Sequence, residues 1–192
     1  LIIIPREGYF QIAYLIPKGN NDVLRARGLE TFRREVAELV PEADTSHIRS
    51  WDDVKFLDAR LNRAQRWYTS GLLCIGDAAH AMSPVGGVGI NIAVQDAVGA
   101  ATLLAEPLRT GAVATGDLAD VQRRRLPPAA VTQAMQRTLH RTLIAPILAG
   151  RDADPPAAAV ALIRRLPWLA AIPAQVIGVG VRPERAPAFA RR

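Results

Sequence analysis

Residues 71–97, GLLCIGDAAHAMSPVGGVGINIAVQDA, contain the residue types best suited to holding a ligand. The apolar run 72–75 predicts a short buried strand bounded by glycines. Gly76 follows this strand and allows a ligand or another backbone segment to approach closely. Asp77 then lies at the carboxyl end of the strand, where ligands bind in α/β sheets. Its carboxylate only accepts hydrogen bonds and therefore suits a pair of sugar-like hydroxyl groups.

The loop that follows is predicted to fold around a flat ligand. Pro84 fixes its backbone, and three glycines make it pliable: Gly86, Gly87 and Gly89. A helix is predicted over 91–104, beginning near Ile90, and Gly99 within it allows close packing. Its apolar positions at helical spacing are Val94, Val98, Ala101 and Leu104. The free N–H groups and positive dipole end at the helix start favour negative charge on a ligand.

The segments GDAAHAMSPVGGVGIN and AVQDA resemble the second flavin-binding motif of a known family. This family comprises the FAD-dependent aromatic hydroxylases and related monooxygenases, the para-hydroxybenzoate hydroxylase-like group. The layout of SWDDVKFLDARLNRAQRWYTSGLLCIGDAAH is similar to the last substrate-domain strand that leads into that motif. The motif is specific for the family but gives almost no information about the substrate.

The resemblance implies roles for individual residues. Asp77 would hydrogen-bond the ribitol chain of FAD, Pro84 would lie against the isoalloxazine edge, and the backbone of Gly89, Ile90 and Asn91 would face the pyrimidine end of the ring. The full cofactor-binding set implied by the resemblance is Gly76, Asp77, Pro84, Gly86, Gly87, Val88, Gly89, Ile90 and Asn91. It also implies NAD(P)H as reductant, O2 as co-substrate and a small organic molecule as substrate.

Several other residues have both a functional and a structural interpretation. Arg63 and Trp67 precede the motif and are candidate substrate contacts, the alternative being a surface arginine and a core tryptophan. His80 is interpreted as a hydrogen-bonded or packed structural residue rather than a general base, and Asp96 as a structural residue that bonds backbone near the loop. Arg123 to Arg125 are predicted to lie on a solvated helix face.

Two parts of the family pattern are absent from this sequence. No GxGxxG turn for the FAD pyrophosphate is found, because GGVG at 86–89 follows a loop rather than a strand. The family's middle Asp-Gly motif is also absent. The chain therefore resembles the C-terminal portion of such an enzyme, and its first expected partner is the missing N-terminal half of the FAD domain.

The rest of the chain gives a coarse prediction of the fold. Two strands are predicted in 1–17. Both faces of the second are mostly apolar, which predicts a sheet covered on at least part of each face. A helix is predicted over 22–40, ended by Pro41, and a strand over 53–61. From 117 onward the pattern is helical, and prolines are expected to cut it into short helices. One apolar stripe there comprises Val131, Met135, Leu139 and Leu143.

These elements predict an α/β (mixed α+β) fold. It would combine a partial FAD-binding domain, part of a substrate-domain β-sheet and a helical C-terminal region. The predicted domains are 1–66 for the substrate-binding sheet, 67–112 for the FAD-binding part and 113–192 for the closing helices.

Composition excludes several classes of protein. The chain has 192 residues, 49% hydrophobic and 22% charged, which excludes disordered and fibrous classes. Its net charge of +6 comes from 22 Arg and only 2 Lys spread along the chain, which argues against nucleic-acid binding. Because Arg and Pro interrupt 159–181, no transmembrane segment is predicted. The single cysteine, Cys74, is interpreted as a small buried hydrophobe and favours the cytoplasm.

The sequence leaves two alternatives to a monooxygenase open. A related flavin-dependent reductase or epoxidase would use a similar motif. A non-catalytic remnant or interaction module would instead use the apolar helices at 127–181 to bind a partner. No metal is predicted, because His47 and His140 have no partner at metal-ligand spacing. A homo-oligomer is compatible with all of these functions.

Overall fold

The computed structural model describes residues 1–151, 161, 164–166 and 171–190. The chain divides into two compact units. The first comprises Leu1–Asp58 and Ile147–Arg151, and the second comprises Ala59–Pro146 and the described residues of Asp152–Arg192. The domain limits 1–66, 67–112 and 113–192 stay predictions. The division in the structure follows residue 58, and the residues before and after 112 lie in one unit.

The first unit begins with an antiparallel hairpin of β1 (Ile2–Arg6) and β2 (Tyr9–Ala13). Both strands were predicted in 1–17. At least part of each face of this hairpin is covered as expected, since Ile12 and Ala13 point to opposite faces and are both half-buried. Phe10 is 70% exposed, because a two-stranded hairpin offers no second layer to cover it.

Two helices replace the single one predicted over 22–40. They are α1 (Asn21–Ala26) and α2 (Leu29–Leu39), separated by Gly28 with a φ of 90°. α2 buries Phe32, whose ring centroid lies 5.5 Å from the ring centroid of Tyr14. α2 is therefore amphipathic, as predicted for this part of 22–40. The predicted single helix is interrupted before α2, at residues 27–28.

The strand predicted over 53–61 is wrong, because the structure has no strand there. The Asp53 carboxylate accepts hydrogen bonds from the backbone N–H groups of Arg49 and Ser50, both at 2.9 Å. Such side-chain bonds stabilise a turn at the expense of extended backbone.

The second unit contains a small hairpin of β3 (Tyr68–Thr69) and β4 (Leu72–Leu73), joined through Gly71 with a φ of 74°. The prediction of a buried strand over 72–75 is therefore wrong in length and burial. Only two of its residues are in the strand, and Leu72 is 55% exposed. Cys74 is half-buried rather than fully buried.

Two long helices form the frame of this unit, α3 (Val88–Thr110) and α4 (Thr115–Leu139). A π-helical turn (His140–Ile144) continues α4 into α5 (Ala145–Leu148), and α6 (Ala171–Gly178) follows later. One cluster of buried side chains comprises Trp67, Ala79, Ile92 and Ala129. A second comprises Leu104, Leu118 and Val121. Both clusters join α3 to α4, so these helices position the motif between them.

The prediction that prolines cut this region into short helices is wrong for α4, which continues through Pro127 and Pro128. A proline costs a helix interior about 3 kcal/mol. Packing on both sides of the pair outweighs this cost, since Val121 and Ala129 are fully buried. The predictions that concern 155–156 and 167 lie outside the described residues.

The predicted apolar stripe of α4 is not its buried face. Val131 is 47% exposed, whereas Thr132, Gln133 and Gln136 are each 1% exposed. These polar side chains are buried at little cost because each of them hydrogen-bonds backbone.

By length and composition alone, α3 is the one helix among the described residues that could cross a membrane. About 28% of its most apolar stretch is buried in the structure. A core helix of a globular protein meets the same criterion. The absence of a transmembrane segment stays a prediction, and part of the stretch 159–181 lies outside the described residues.

Candidate functional site

The turn that contains Asp77 is a short 3-10 helix, Gly76–Ala78, placed against α3. Gly76 is buried and has a φ of 57°, while Asp77 is exposed. The Gly76 N–H donates to Asp96 Oδ2 at 3.0 Å, so a side chain of α3 holds the turn. The carboxylate of Asp77 is thereby presented to solvent from a fixed backbone.

Replacing Gly76 with alanine is expected to destabilise this unit by about 1–3 kcal/mol. A Cβ atom at Gly76 would lie 3.1 Å from the Ala93 Cβ, in a backbone conformation that side chains rarely adopt. Urea unfolding at neutral pH measures the loss. The matched control is Gly71→Ala, where a Cβ meets nothing within 4 Å at a similar positive φ. An equal loss in both variants would contradict the role of the Ala93 contact.

Glutamines of α4 hold the segments on either side of this turn. Gln136 accepts from the Ser83 N–H at 3.1 Å and donates to the carbonyls of Ser83 and Val85 at 2.8 and 3.0 Å. Gln133 donates to the carbonyls of Asn62 and Ala81 at 2.6 and 3.1 Å. These bonds satisfy backbone groups of an irregular loop.

Ser83 is the second anchor of the loop that carries Pro84. Its Oγ lies 2.8 Å from Nε2 of His140, which begins the π-helical turn, and it accepts from the Val85 N–H at 3.2 Å. Pro84, Gly86 and Gly87, in the same loop as these part-buried hydrogen bonds, are exposed. The loop therefore has a fixed base and an open upper surface.

The loop ends at the N-terminus of α3. Gly87 caps this helix with a φ of 65° and offers no side chain to its free N–H groups, and the first turn has no acidic residue. Val88 is 2% exposed and anchors the turn, whereas Ile90 is 77% exposed. This helix end is therefore open to a ligand that accepts hydrogen bonds or carries negative charge.

The nine residues predicted to bind the cofactor thus surround the first turn of α3 in two layers. Gly76 and Val88 form a buried base. The exposed members are Asp77, Pro84, Gly86, Gly87, Ile90 and Asn91. Gly89 lies between the layers, where a Cβ would stand 3.4 Å from the Met82 Cβ.

A buried charge cluster lies directly behind this surface. Asp96 is fully buried and approaches His80 Nε2 with Oδ2 at 2.5 Å and Arg125 Nε with Oδ1 at 2.8 Å. Burial raises the pKa of the Asp96 carboxyl, but hydrogen bonds from His80 and Arg125 lower it more, so the net pKa lies below its usual value. Asp96 is therefore an anion in the folded protein at neutral pH.

The structure separates correct from wrong predictions in this cluster. His80 and Asp96 occupy the structural positions predicted for them, and Asp96 bonds backbone at the motif. The prediction of a solvated face for Arg123 to Arg125 is wrong for Arg125, which is fully buried. The one feature of the sequence that indicates this burial is Gly99. A Cβ at Gly99 would lie 3.0 Å from Arg125 Cδ, which confirms the close packing predicted at this glycine.

The two candidate substrate contacts differ in their surroundings. Trp67 is 1% exposed, packs 4.9 Å from the His80 ring and donates from Nε1 to the Ala64 carbonyl at 3.2 Å. These contacts favour the core alternative for Trp67. Arg63 lines an open groove of about 420 Å³ with Gln133 and Arg137, and donates to Gln133 Oε1 at 3.1 Å. Its contact with a substrate stays a prediction.

Comparison with known proteins decides the family. A family model described as "FAD binding domain" matches residues 1–135, more than half of the chain. The chain belongs to this FAD-binding domain family. The resemblance predicted from the motif is thereby confirmed, as is the α/β (mixed α+β) fold class of a partial FAD-binding domain.

A curated relative agrees with this family. The 6-methylpretetramide 4-monooxygenase of Streptomyces rimosus is 40% identical to this chain over 120 residues. The match covers 61% of this chain and 29% of that monooxygenase. The chain therefore spans less than a third of the length of this relative.

The residues around the first turn of α3 fit FAD. The exposed carboxylate of Asp77 can accept bonds from ribitol hydroxyls, and the uncapped helix start can donate to the acceptor edge of the flavin ring. The exposed glycines at 86 and 87 leave room for a flat ring over the loop.

Proposed function

We propose that this chain supplies the ribitol- and ring-binding part of an FAD-dependent monooxygenase. The observation that carries the proposal is the exposed Asp77 turn beside the uncapped start of α3; the turn is held by the buried hydrogen bond from the Gly76 N–H to Asp96. The similarity to a protein named as a monooxygenase supports the reaction class. The proposed reductant is NAD(P)H, the co-substrate is O2, and the substrate is a small organic molecule.

Each part of the surface has a chemical task in this proposal. Asp77 accepts hydrogen bonds from two ribitol hydroxyls, and Pro84 packs against the edge of the ring. The N–H groups of Gly89, Ile90 and Asn91 face the pyrimidine end, where the helix dipole stabilises negative charge by about 0.3–2 kcal/mol. Bound FAD supplies the redox chemistry of the reaction. The chain contributes binding, orientation and a favourable field.

The proposed partner of this surface is the half of the FAD domain that holds the pyrophosphate. α3 presents an unburied apolar face on which Ile90, Val94 and Leu108 are 77%, 57% and 63% exposed. Because exposed apolar surface of this extent favours association, the helix suits a covering layer. The relative's greater length supports the presence of such a layer in the complete enzyme. The proposed compartment is the cytoplasm.

Flavin retention tests this function. The chain is incubated with FAD, desalted and measured by visible absorption, both alone and as a fusion in which it replaces the matched region of the Streptomyces rimosus monooxygenase. We expect the fusion to keep the flavin bands and the chain alone to lose them, because the chain alone lacks the proposed pyrophosphate-binding half. Equal retention would contradict the need for the second half. A folded but colourless fusion would contradict flavin binding.

Turnover then distinguishes the monooxygenase from the alternatives. A fusion that retains FAD is supplied with NAD(P)H and O2 and a panel of small aromatic substrates. A monooxygenase incorporates one oxygen atom from labelled O2 into a product, which mass spectrometry detects. NAD(P)H oxidation that never yields an oxygenated product would favour the reductase alternative.

A further inference from the structure

The segment 178–184, named here the C-terminal strap, lies along α3. Its Gly178 carbonyl accepts from the Asn91 side chain at 3.2 Å, and its Val179 carbonyl accepts from Gln95 at 2.9 Å. A Cβ at Gly180 would lie 3.2 Å from Gln95 Nε2, so the strap approaches the helix closely. The strap therefore contacts Asn91, one of the nine residues predicted to bind the cofactor, which together are named here the flavin surface.

Glu184 ends the strap inside the protein. Its carboxylate accepts from Arg124 Nε and Nη2 at 2.8 and 2.7 Å and from Arg125 Nη1 at 3.3 Å. Hydrogen bonds from Arg124 lower the pKa of Glu184, although burial raises it. The buried carboxylate of Glu184 therefore pairs with two arginines near the middle of α4.

Arg125 joins this anion to the flavin surface. Its Nε donates to Asp96 Oδ1 at 2.8 Å, and its Nη1 donates to the Arg182 carbonyl at 3.2 Å as well as to Glu184. Asp96 uses its other oxygen for His80 and for the Gly76 N–H. A chain of charged hydrogen bonds therefore runs from the strap to the residue that precedes Asp77.

Geometry makes guanidinium the group that this position requires. Arginine presents a planar fork that can bond an anion on each side, whereas lysine is a point charge that cannot reach both. Gly99 leaves the space that the Arg125 side chain fills. The Arg125 side chain is itself fully buried, so water cannot replace a lost partner.

We propose that Arg125 is a positioning residue for the flavin-binding turn, and that the C-terminal strap holds Arg125 in place. The inference rests on the proposed function, in which Asp77 binds FAD. Through Arg125, the strap fixes Asp96, and Asp96 fixes the backbone on which Asp77 stands. Loosening of the strap therefore reduces the affinity for FAD without any contact between the strap residue Glu184 and the cofactor.

Amide hydrogen exchange in the 192-residue chain without FAD tests the coupling. In Arg125→Lys, we expect the Gly76 amide to exchange about tenfold faster, the effect of losing one charged hydrogen bond. The Cys74 amide, which donates to the Trp67 carbonyl at 2.7 Å, should keep its rate. Glu184→Gln should accelerate Gly76 less, and it provides the test if Arg125→Lys does not fold.

The control variant is Leu118→Ala, which removes a buried side chain of the same unit outside the charge cluster. It should accelerate the Gly76 and Cys74 amides in parallel, as a general loss of stability does. A parallel change of both amides in Arg125→Lys and Glu184→Gln, or an unchanged Gly76 amide, would overturn the proposal.

Flavin affinity of the fusion protein provides the second readout. Well below the unfolding temperature, Arg125→Lys should raise the FAD Kd about tenfold, and Leu118→Ala should leave it unchanged. An unchanged Kd in Arg125→Lys would overturn the positioning role. If Gly76 exchange responds as expected but the unmodified fusion binds no FAD, the proposed function fails and the coupling between strap and turn stands.

Discussion

Replacing Asp77 with alanine is expected to weaken FAD binding about 10- to 150-fold, the range for loss of a charged hydrogen bond. The Asp77 carboxylate is exposed and accepts no hydrogen bond from the described residues. Its removal therefore costs the folded protein little, and the whole effect is expected in binding. Asp77→Asn, which retains one acceptor oxygen, should give a smaller loss.

The measurement is the FAD Kd of the fusion protein, obtained by titration of flavin fluorescence. Urea unfolding of the same variants checks that the free energy of unfolding is unchanged. Asp52→Ala, which removes another exposed carboxylate, is the matched control and should bind FAD as the unmodified protein does. An unchanged FAD Kd in Asp77→Ala would contradict the proposed hydrogen bonds between Asp77 and the ribitol hydroxyls.

The backbone of the turn, loop and helix start over residues 76–91 could be predicted from the sequence because its signals are local. A buried glycine, an acidic residue, a proline and a glycine-rich loop before an apolar helix impose backbone conformations within one short segment. The structure reproduces that segment with Gly76 and Gly87 at positive φ. Gly99 was also informative, because a glycine inside a helix has value where another group approaches closely.

The sequence could not predict how α4 supports the site. Gln133 and Gln136 bond carbonyls about 50 residues away, and Arg125 bonds Glu184, 59 residues later. On a helix such polar residues look solvated, because periodicity reveals apolar faces and not distant partners. The apolar stripe through Val131 was wrong for the same reason.

Replacing Asp96 with asparagine is expected to destabilise the protein by about 3–5 kcal/mol at neutral pH, the cost of breaking a buried ion pair. The change leaves Arg125 buried with Glu184 as its remaining anionic partner. Urea unfolding measures the loss. Asp120→Asn is the matched control, since Asp120 pairs with exposed Arg123 on the surface of α4 and should cost less than about 1 kcal/mol.

The pH dependence of this loss identifies its electrostatic origin. Because the pKa of Asp96 is lowered on folding, its contribution is present above the pKa of the unfolded chain, about 3.9, and disappears as the pH falls through the lower folded value. The difference in unfolding free energy between the unmodified protein and Asp96→Asn should narrow as the pH falls below about 4.

A difference that stays constant down to pH 3 would assign the loss to altered packing and not to charge. Glu184 adds to the loss of unfolding free energy of the unmodified protein in acid, because its pKa is also lowered on folding. Acid is therefore expected to remove charge from both anions that flank Arg125, so that the strap and the turn that carries Asp77 lose their common support together. Amide exchange at Gly76 should accelerate over the same pH interval after correction for the intrinsic exchange rate.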